Sequence, residues 1–169
     1  MRRLRTSASV FFPAVVLVAA CSDVLGPEFE SITELPRALS VAEHEVIGSS
    51  TAFGFDLMRE VAIRDDRPNI VLSPLGASMA LAMTLNGADG ETFDEMRAAL
   101  GFAQLPQQEI NEGFRDLTQL LTTLDADVRF DIGNSLWANE DVPFHDSFLQ
   151  AVTAAFEARS ETKDFADPA

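Results

Sequence analysis

Asn69-Ile70-Val71-Leu72-Ser73-Pro74, running on through Leu75-Gly76-Ala77-Ser78-Met79-Ala80-Leu81-Ala82-Met83-Thr84-Leu85 to Asn86-Gly87, reads as a strand handed directly to a helix. Pro68-Asn69 breaks whatever precedes it, and Ile70-Val71-Leu72 is predicted as a short apolar strand. The Ser73 hydroxyl is placed to cap the helix, and Pro74 suits the first turn, where no intrahelical N–H bond is lost. Beyond it, Met79, Ala80, Met83 and Thr84 continue a helix with almost no polar face, which predicts burial nearly all round. The run stops at Asn86-Gly87.

Upstream, Val46, Ser50, Phe53, Leu57 and Val61 step by three or four and line one side of a helix. Downstream, Thr92-Phe93-Asp94-Glu95 has the capping-box pattern of a short helix, and Gly101 after Leu100 supplies its stop. Ile110, Phe114, Leu117, Leu121 and Leu124 mark a fourth helix. At Val128 the period changes to two. Val128, Phe130, Ile132, Asn134 and Leu136 share one face of a predicted strand ending at Trp137, with Arg129, Asp131 and Ser135 on the other. Phe148, Val152, Ala155 and Phe156 give a fifth helix, and Glu161 to Phe165 a last short strand. Helices come first and strands late, so the fold class is α+β with a sheet barely begun.

The chain has 169 residues, 47% of them hydrophobic, enough for one domain with a real core. Its 27 acidic residues face 12 basic ones, for a net charge of −15. Such a surface repels phosphate backbones and excludes nucleic acid as a partner. Three of the basic residues, Arg2, Arg3 and Arg5, precede the apolar run Ala8 to Val18, the order of a secretory signal and too short for a comfortable membrane span. Val18-Ala19-Ala20-Cys21 resembles the lipobox of bacterial lipoproteins, in which the cysteine is lipidated. Cys21 is the chain's single cysteine, so no internal disulfide or thiolate metal cluster can form. The leader is read as residues 1–20 and the anchor cysteine with a tether as 21–40, the mixed stretch carrying Gly26, Pro27 and Pro36. The folded part is read as 41–169.

Taken in order, the segments resemble the serpin family. Asn69 to Pro74 followed by Ala80-Leu81-Ala82-Met83 looks like the serpin strand that runs into its second helix. Gly87-Ala88-Asp89-Gly90-Glu91-Thr92 is similar to the turn that follows, and Leu100-Gly101-Phe102 to the end of the third helix. Gly133-Asn134-Ser135-Leu136-Trp137 resembles the strand before the fifth helix, with Phe148 and Asp164-Phe165 in the positions that follow. The resemblance covers roughly residues 45 to 165. It implies the N-terminal portion of a bacterial-type serpin: helices plus the first strands of the main sheet, without the reactive loop. It also carries Ser73, Pro74 and Gly76 onto the shutter, the region beneath the place where the main sheet parts. At Gly76 many serpins have a second serine instead.

Serpins inhibit by offering a reactive loop as bait and inserting it, once cleaved, as a new strand, a mode of strand addition with release of stored strain. The family carries that loop near its C-terminus, whereas this sequence stops at Pro168-Ala169. The resemblance therefore implies a protein whose full-length parent is a suicide-type inhibitor of serine or cysteine endopeptidases, exported and either lipid-anchored through Cys21 or secreted. The chain by itself is expected to be inactive, and its unpaired strands to associate. The alternative is a non-inhibitory, serpin-like structural or binding lipoprotein. No enzyme is expected. His44 and His145 lack ligand spacing, Ser73 lacks a glycine-flanked elbow, and no lysine follows Gly87 to Gly90. Asp65-Asp66 and Asp125 with Asp127 lack the rest of a calcium loop, so neither metal nor cofactor is expected. Some serpins bind heparin through a basic fourth helix, but here Gln107 to Leu124 sets Arg115 alone against Glu109, Glu112 and Asp116, and a sulfated polymer is repelled.

Overall fold

The computed structural model describes residues 32–166, and Cys21, the leader and most of the tether lie outside them. The first helix, α1, spans Val41–Arg64. Ser40 opens it with a full capping box: its side chain accepts from the Glu43 backbone N–H, and the Glu43 carboxylate accepts from the Ser40 N–H. The expected face is turned inward, with Val46 and Ser50 buried and Phe53, Leu57 and Val61 half-buried.

Ile70-Val71-Leu72 is not a strand, a correction to what the sequence predicts. A ladder needs a partner, and no described strand lies beside it; Val71 is 93% exposed. The next helix, α2, is Pro74–Leu85. It too departs from expectation. Ser78, Met79, Ala82, Met83 and Leu85 are buried, whereas Ala80, Leu81 and Thr84 face outward. Apolar composition permits burial on all sides, but neighbours decide it, and the described ones cover a single face of α2.

Helix α3 is Gly90–Ala99 and begins before the predicted capping box, with Asp89 as its N-cap. At its other end Gly101 takes φ +78°, the Gly101 N–H bonds the Ala98 carbonyl, and the Phe102 N–H bonds the Arg97 carbonyl. These paired bonds are a Schellman stop, which the left-handed glycine makes possible. Helix α4, Gln107–Thr123, follows Pro106.

The strand predicted from Val128 to Trp137 forms its ladder only as β1, Ser135–Asn139. It pairs in parallel with β2, Arg159–Lys163, from Ser135 opposite Arg159 to Asn139 opposite Lys163. Because β2 is five residues long, Val128 to Gly133 have no strand partner among the described residues, and Val128 and Phe130 stay exposed. Helix α5, Asp146–Phe156, is the crossover that a parallel pair requires. It ends at Glu157 in the left-handed region, φ +51°. Asn134 then ties helix end to strand start: its Nδ2 donates to the Phe156 carbonyl at 2.9 Å, and its carbonyl accepts from the Arg159 N–H at 3.0 Å. That clamp starts β2 at Arg159, two residues before the predicted Glu161.

The core lies where α4 meets α1 and α5. Phe114 of α4 is its centre, with the Phe102 ring edge-on at 5.8 Å and the Phe156 ring at 5.5 Å, arrangements that add to the burial of both. Among the described residues, five helices and a two-stranded sheet make an α+β fold.

Candidate functional site

The residues singled out by the sequence meet at the N-terminal end of α2. Ser73 is extended, and its Oγ accepts from the Gly76 N–H at 3.3 Å while its carbonyl accepts from the Ala77 N–H at 3.0 Å. Pro74 follows at the first helical position and rests on α1: a Cβ built at Gly54 would fall 2.6 Å from the Pro74 Cβ. Only a glycine at 54 allows that approach. A Cβ at Gly76 would stand 3.0 Å from the Ser73 Oγ, so a larger residue there needs the capping hydroxyl to give way by a few tenths of an ångström. Ser73, Pro74 and Gly76 are themselves exposed, and the structure brings all three together.

Around this corner α1, α2 and α4 leave an apolar cleft of about 590 Å³, walled by Ile47, Gly54, Met58, Pro74, Leu75 and Leu117. A second cleft of about 690 Å³ runs between the outer side of α2 and β1, walled by Met83, Met96, Leu136, Phe144 and Phe148. Two buried hydroxyls, Ser50, which the sequence set on the inward face of α1, and Ser78, to which it gave no role, have no hydrogen-bond partner among the described residues. Burial of a hydroxyl costs free energy without a partner. Their signal was available only as serines on an otherwise apolar face.

A charged group is buried at the other end of α1. Glu43 is 0% exposed, and Arg37 donates to both its carboxylate oxygens, at 2.8 and 2.6 Å. The same guanidinium reaches the Asp116 carbonyl of α4 at 3.3 Å. The side-chain bonds from Arg37, with the Ser40 N–H, hold the Glu43 carboxyl down to about 2 from its ordinary 4.5, against the burial that would raise it. Residues 32–40 thus include a contact to the helices, where the sequence suggested only a tether. Periodicity cannot find such a pair.

The remaining candidates are scattered. His44 is exposed on α1, and His145 precedes α5 without capping it through its side chain. Asp65 is paired with Arg67, which lowers its pKa. Arg115 of α4 is paired with Asp116 at 2.9 Å. Among the described residues no three His, Cys, Asp or Glu side chains are grouped to hold a metal ion.

The family model described as "Serpin (serine protease inhibitor)" matches residues 48–169. This chain belongs to the serpin family. Serpin A3-7 of Bos taurus is 30% identical over 169 residues, covering 97% of this chain and 40% of that protein. Serpin A3-6 of Bos taurus is 29% identical over 157 residues, 91% of this chain and 38% of that protein. The crystal structure of human glycosylated kallistatin superposes with a TM-score of 0.70 at 25% identity, over 76% of this chain and 35% of that one. A cleaved kallistatin complexed with heparin matches with a TM-score of 0.68 at 25% identity, over 74% of this chain and 37% of that one. The serpin sequence thus spans less than half the length of the curated relatives it matches.

Proposed function

We propose that this serpin chain is the helical framework of a suicide-type inhibitor of serine or cysteine endopeptidases. In that reading α2, entered through Ser73 and Pro74, underlies the place where the main sheet opens to take in the cleaved reactive loop. The observation that carries it is the outer side of α2. A helix apolar all round presents Ala80, Leu81 and Thr84 to the surface, beside the one parallel pair of strands among the described residues. A face of that kind suits a sheet lying across it. Gly76 leaves the Ser73 hydroxyl as the cap of α2, so a shutter here works with one serine.

The target protease is recognised through the reactive loop, which the family carries outside the portion matched here. Export belongs to the same reading, with the chain held at a bacterial-type envelope by lipid on Cys21 or secreted. Acidic α4 gives a sulfated polymer no foothold, since its Arg115 is already paired, and the charge of −15 turns nucleic acid away. Incubation of the 169-residue protein with a panel of serine and cysteine endopeptidases is expected to leave proteolysis unchanged and give no detergent-resistant adduct. The same segment joined to the remaining serpin strands and loop is expected to form a one-to-one covalent adduct, and to partition into detergent when its leader is kept. Failure of the extended protein to trap any member of the panel would favour the non-inhibitory alternative.

A further inference from the structure

Asn86-Gly87, the dipeptide that ends α2, is not used by the inhibitory reading. Asparagine before glycine is the pairing most open to spontaneous deamidation, because no side chain hinders attack by the following amide nitrogen. The surroundings decide whether that attack can occur. Asn86 is half-buried in a helical conformation, φ −63°, ψ −20°. Its Nδ2 donates to the Ala82 carbonyl at 2.9 Å and to Asn111 Oδ1 of α4 at 3.0 Å, while its Oδ1 accepts from Asn111 Nδ2 at 2.8 Å. Gln107 of α4 completes the group, donating to Asn111 Oδ1 at 3.0 Å. The Gly87 N–H, which would have to lose its proton to attack, donates to the Thr84 carbonyl at 2.9 Å. Glycine fits closely there: a Cβ would lie 3.1 Å from the Phe148 ring of α5, which would have to shift by a few tenths of an ångström.

We propose that Asn86-Gly87 is a self-modification site that the fold holds shut: deamidation begins only when the end of α2 releases α4, and its product keeps that contact open. In the released state the Gly87 amide nitrogen, having given its proton to solvent base, attacks Asn86 Cγ. A ring C–N bond forms, the Cγ–Nδ2 bond breaks, and Nδ2 leaves as ammonia. Water then opens the succinimide to aspartate or isoaspartate, so that overall one water is consumed and one ammonia released. Either product replaces a donor by a carboxylate oxygen facing two acceptors: the Ala82 carbonyl loses its Asn86 Nδ2 donor, and Asn111 Oδ1 keeps only Gln107. Isoaspartate also lengthens the backbone between Asn86 and Gly87, inside the turn whose Gly87 N–H bonds the Thr84 carbonyl at 2.9 Å.

The test follows the 169-residue chain in mildly alkaline buffer, native and at rising urea, with the Asn86 peptide quantified by mass spectrometry for succinimide and isoaspartate. Native protein is expected to deamidate slower than unfolded chain by about tenfold or more, and the rate to rise with urea before the global transition, because helix ends open locally. Equal rates in native and unfolded protein would overturn the proposal, as would a rate that rises only with global unfolding. Asn86→Asp is expected to unfold at lower urea than wild type, with failure to fold as the extreme of that result. An unchanged urea midpoint for Asn86→Asp would overturn the second half of the proposal.

Discussion

At the scale of single residues, the most consequential contact is one no motif announces. Glu43 sits in the first turn of α1, where a negative charge is favoured by the helix dipole, and it caps Ser40 while Arg37 neutralises it. Its folded value of about 2 lies below the ordinary 4.5. The pair's contribution is therefore fully present above about 4.5 and is lost as the pH falls towards about 2. Arg37 is 43% exposed, so solvent screens part of that gain. Glu43→Gln is expected to cost about 2 kcal/mol at neutral pH. The gap to wild type should narrow as the pH is lowered through that window. Urea titrations at several pH values check it, and identical midpoints at neutral pH would sink the account. The Ser40–Glu43 spacing is legible in sequence as a capping box. That the carboxylate is buried, and that Arg37 is its partner, depends on how α4 packs beside it.

At the scale of elements, helices α1 and α4 touch through glycine. A Cβ at Gly113 would lie 2.7 Å from Val46 Cγ2 and 2.9 Å from the Ala42 carbonyl, a clash with backbone that no rotamer relieves. Gly113→Ala is expected to destabilise by about 2 kcal/mol or more. Gly48, in the same α1, is the control: nothing lies within 4 Å of a Cβ there. Gly48→Ala is expected to stabilise by about 0.5–1 kcal/mol through helix propensity. Thermal melts of both variants check the pair, and a shift of the same sign in each would refute the close-approach argument. Helix α4 was readable from its apolar stripe because propensity, period and core face agree there. The strands were not readable to their ends. Alternation from Ile132 to Ala138 does match the burial, but the extent of β1 is set by β2, and β2 starts where Asn134 holds it. Strand bounds belong to pairs, not to single segments.

At the scale of the whole molecule, the described residues leave apolar surface and ladder edges open together. Trp137 is 49% exposed on β1, Phe55 is 70% exposed beside the cleft between α1 and α2, and β1 and β2 each have one unpaired edge among the described residues. Open edges beside apolar surface favour association. The 169-residue protein is expected to show a mass by light scattering that rises with concentration, and a constant monomeric mass would refute this. From sequence alone come the five helices, the α+β class, the cap at Ser73-Pro74, the stop at Gly101 and the serpin resemblance. Each rests on local periodicity or on backbone demands that one segment states by itself. Tertiary structure alone decided that Ile70 to Leu72 has no strand partner among the described residues, that these cover α2 on one side, that β1 is five residues long, and that Arg37, Glu43, Asn86 and Asn111 meet their partners. Pairing, burial and buried charge are properties of two segments brought together, and no single stretch of chain encodes its neighbour.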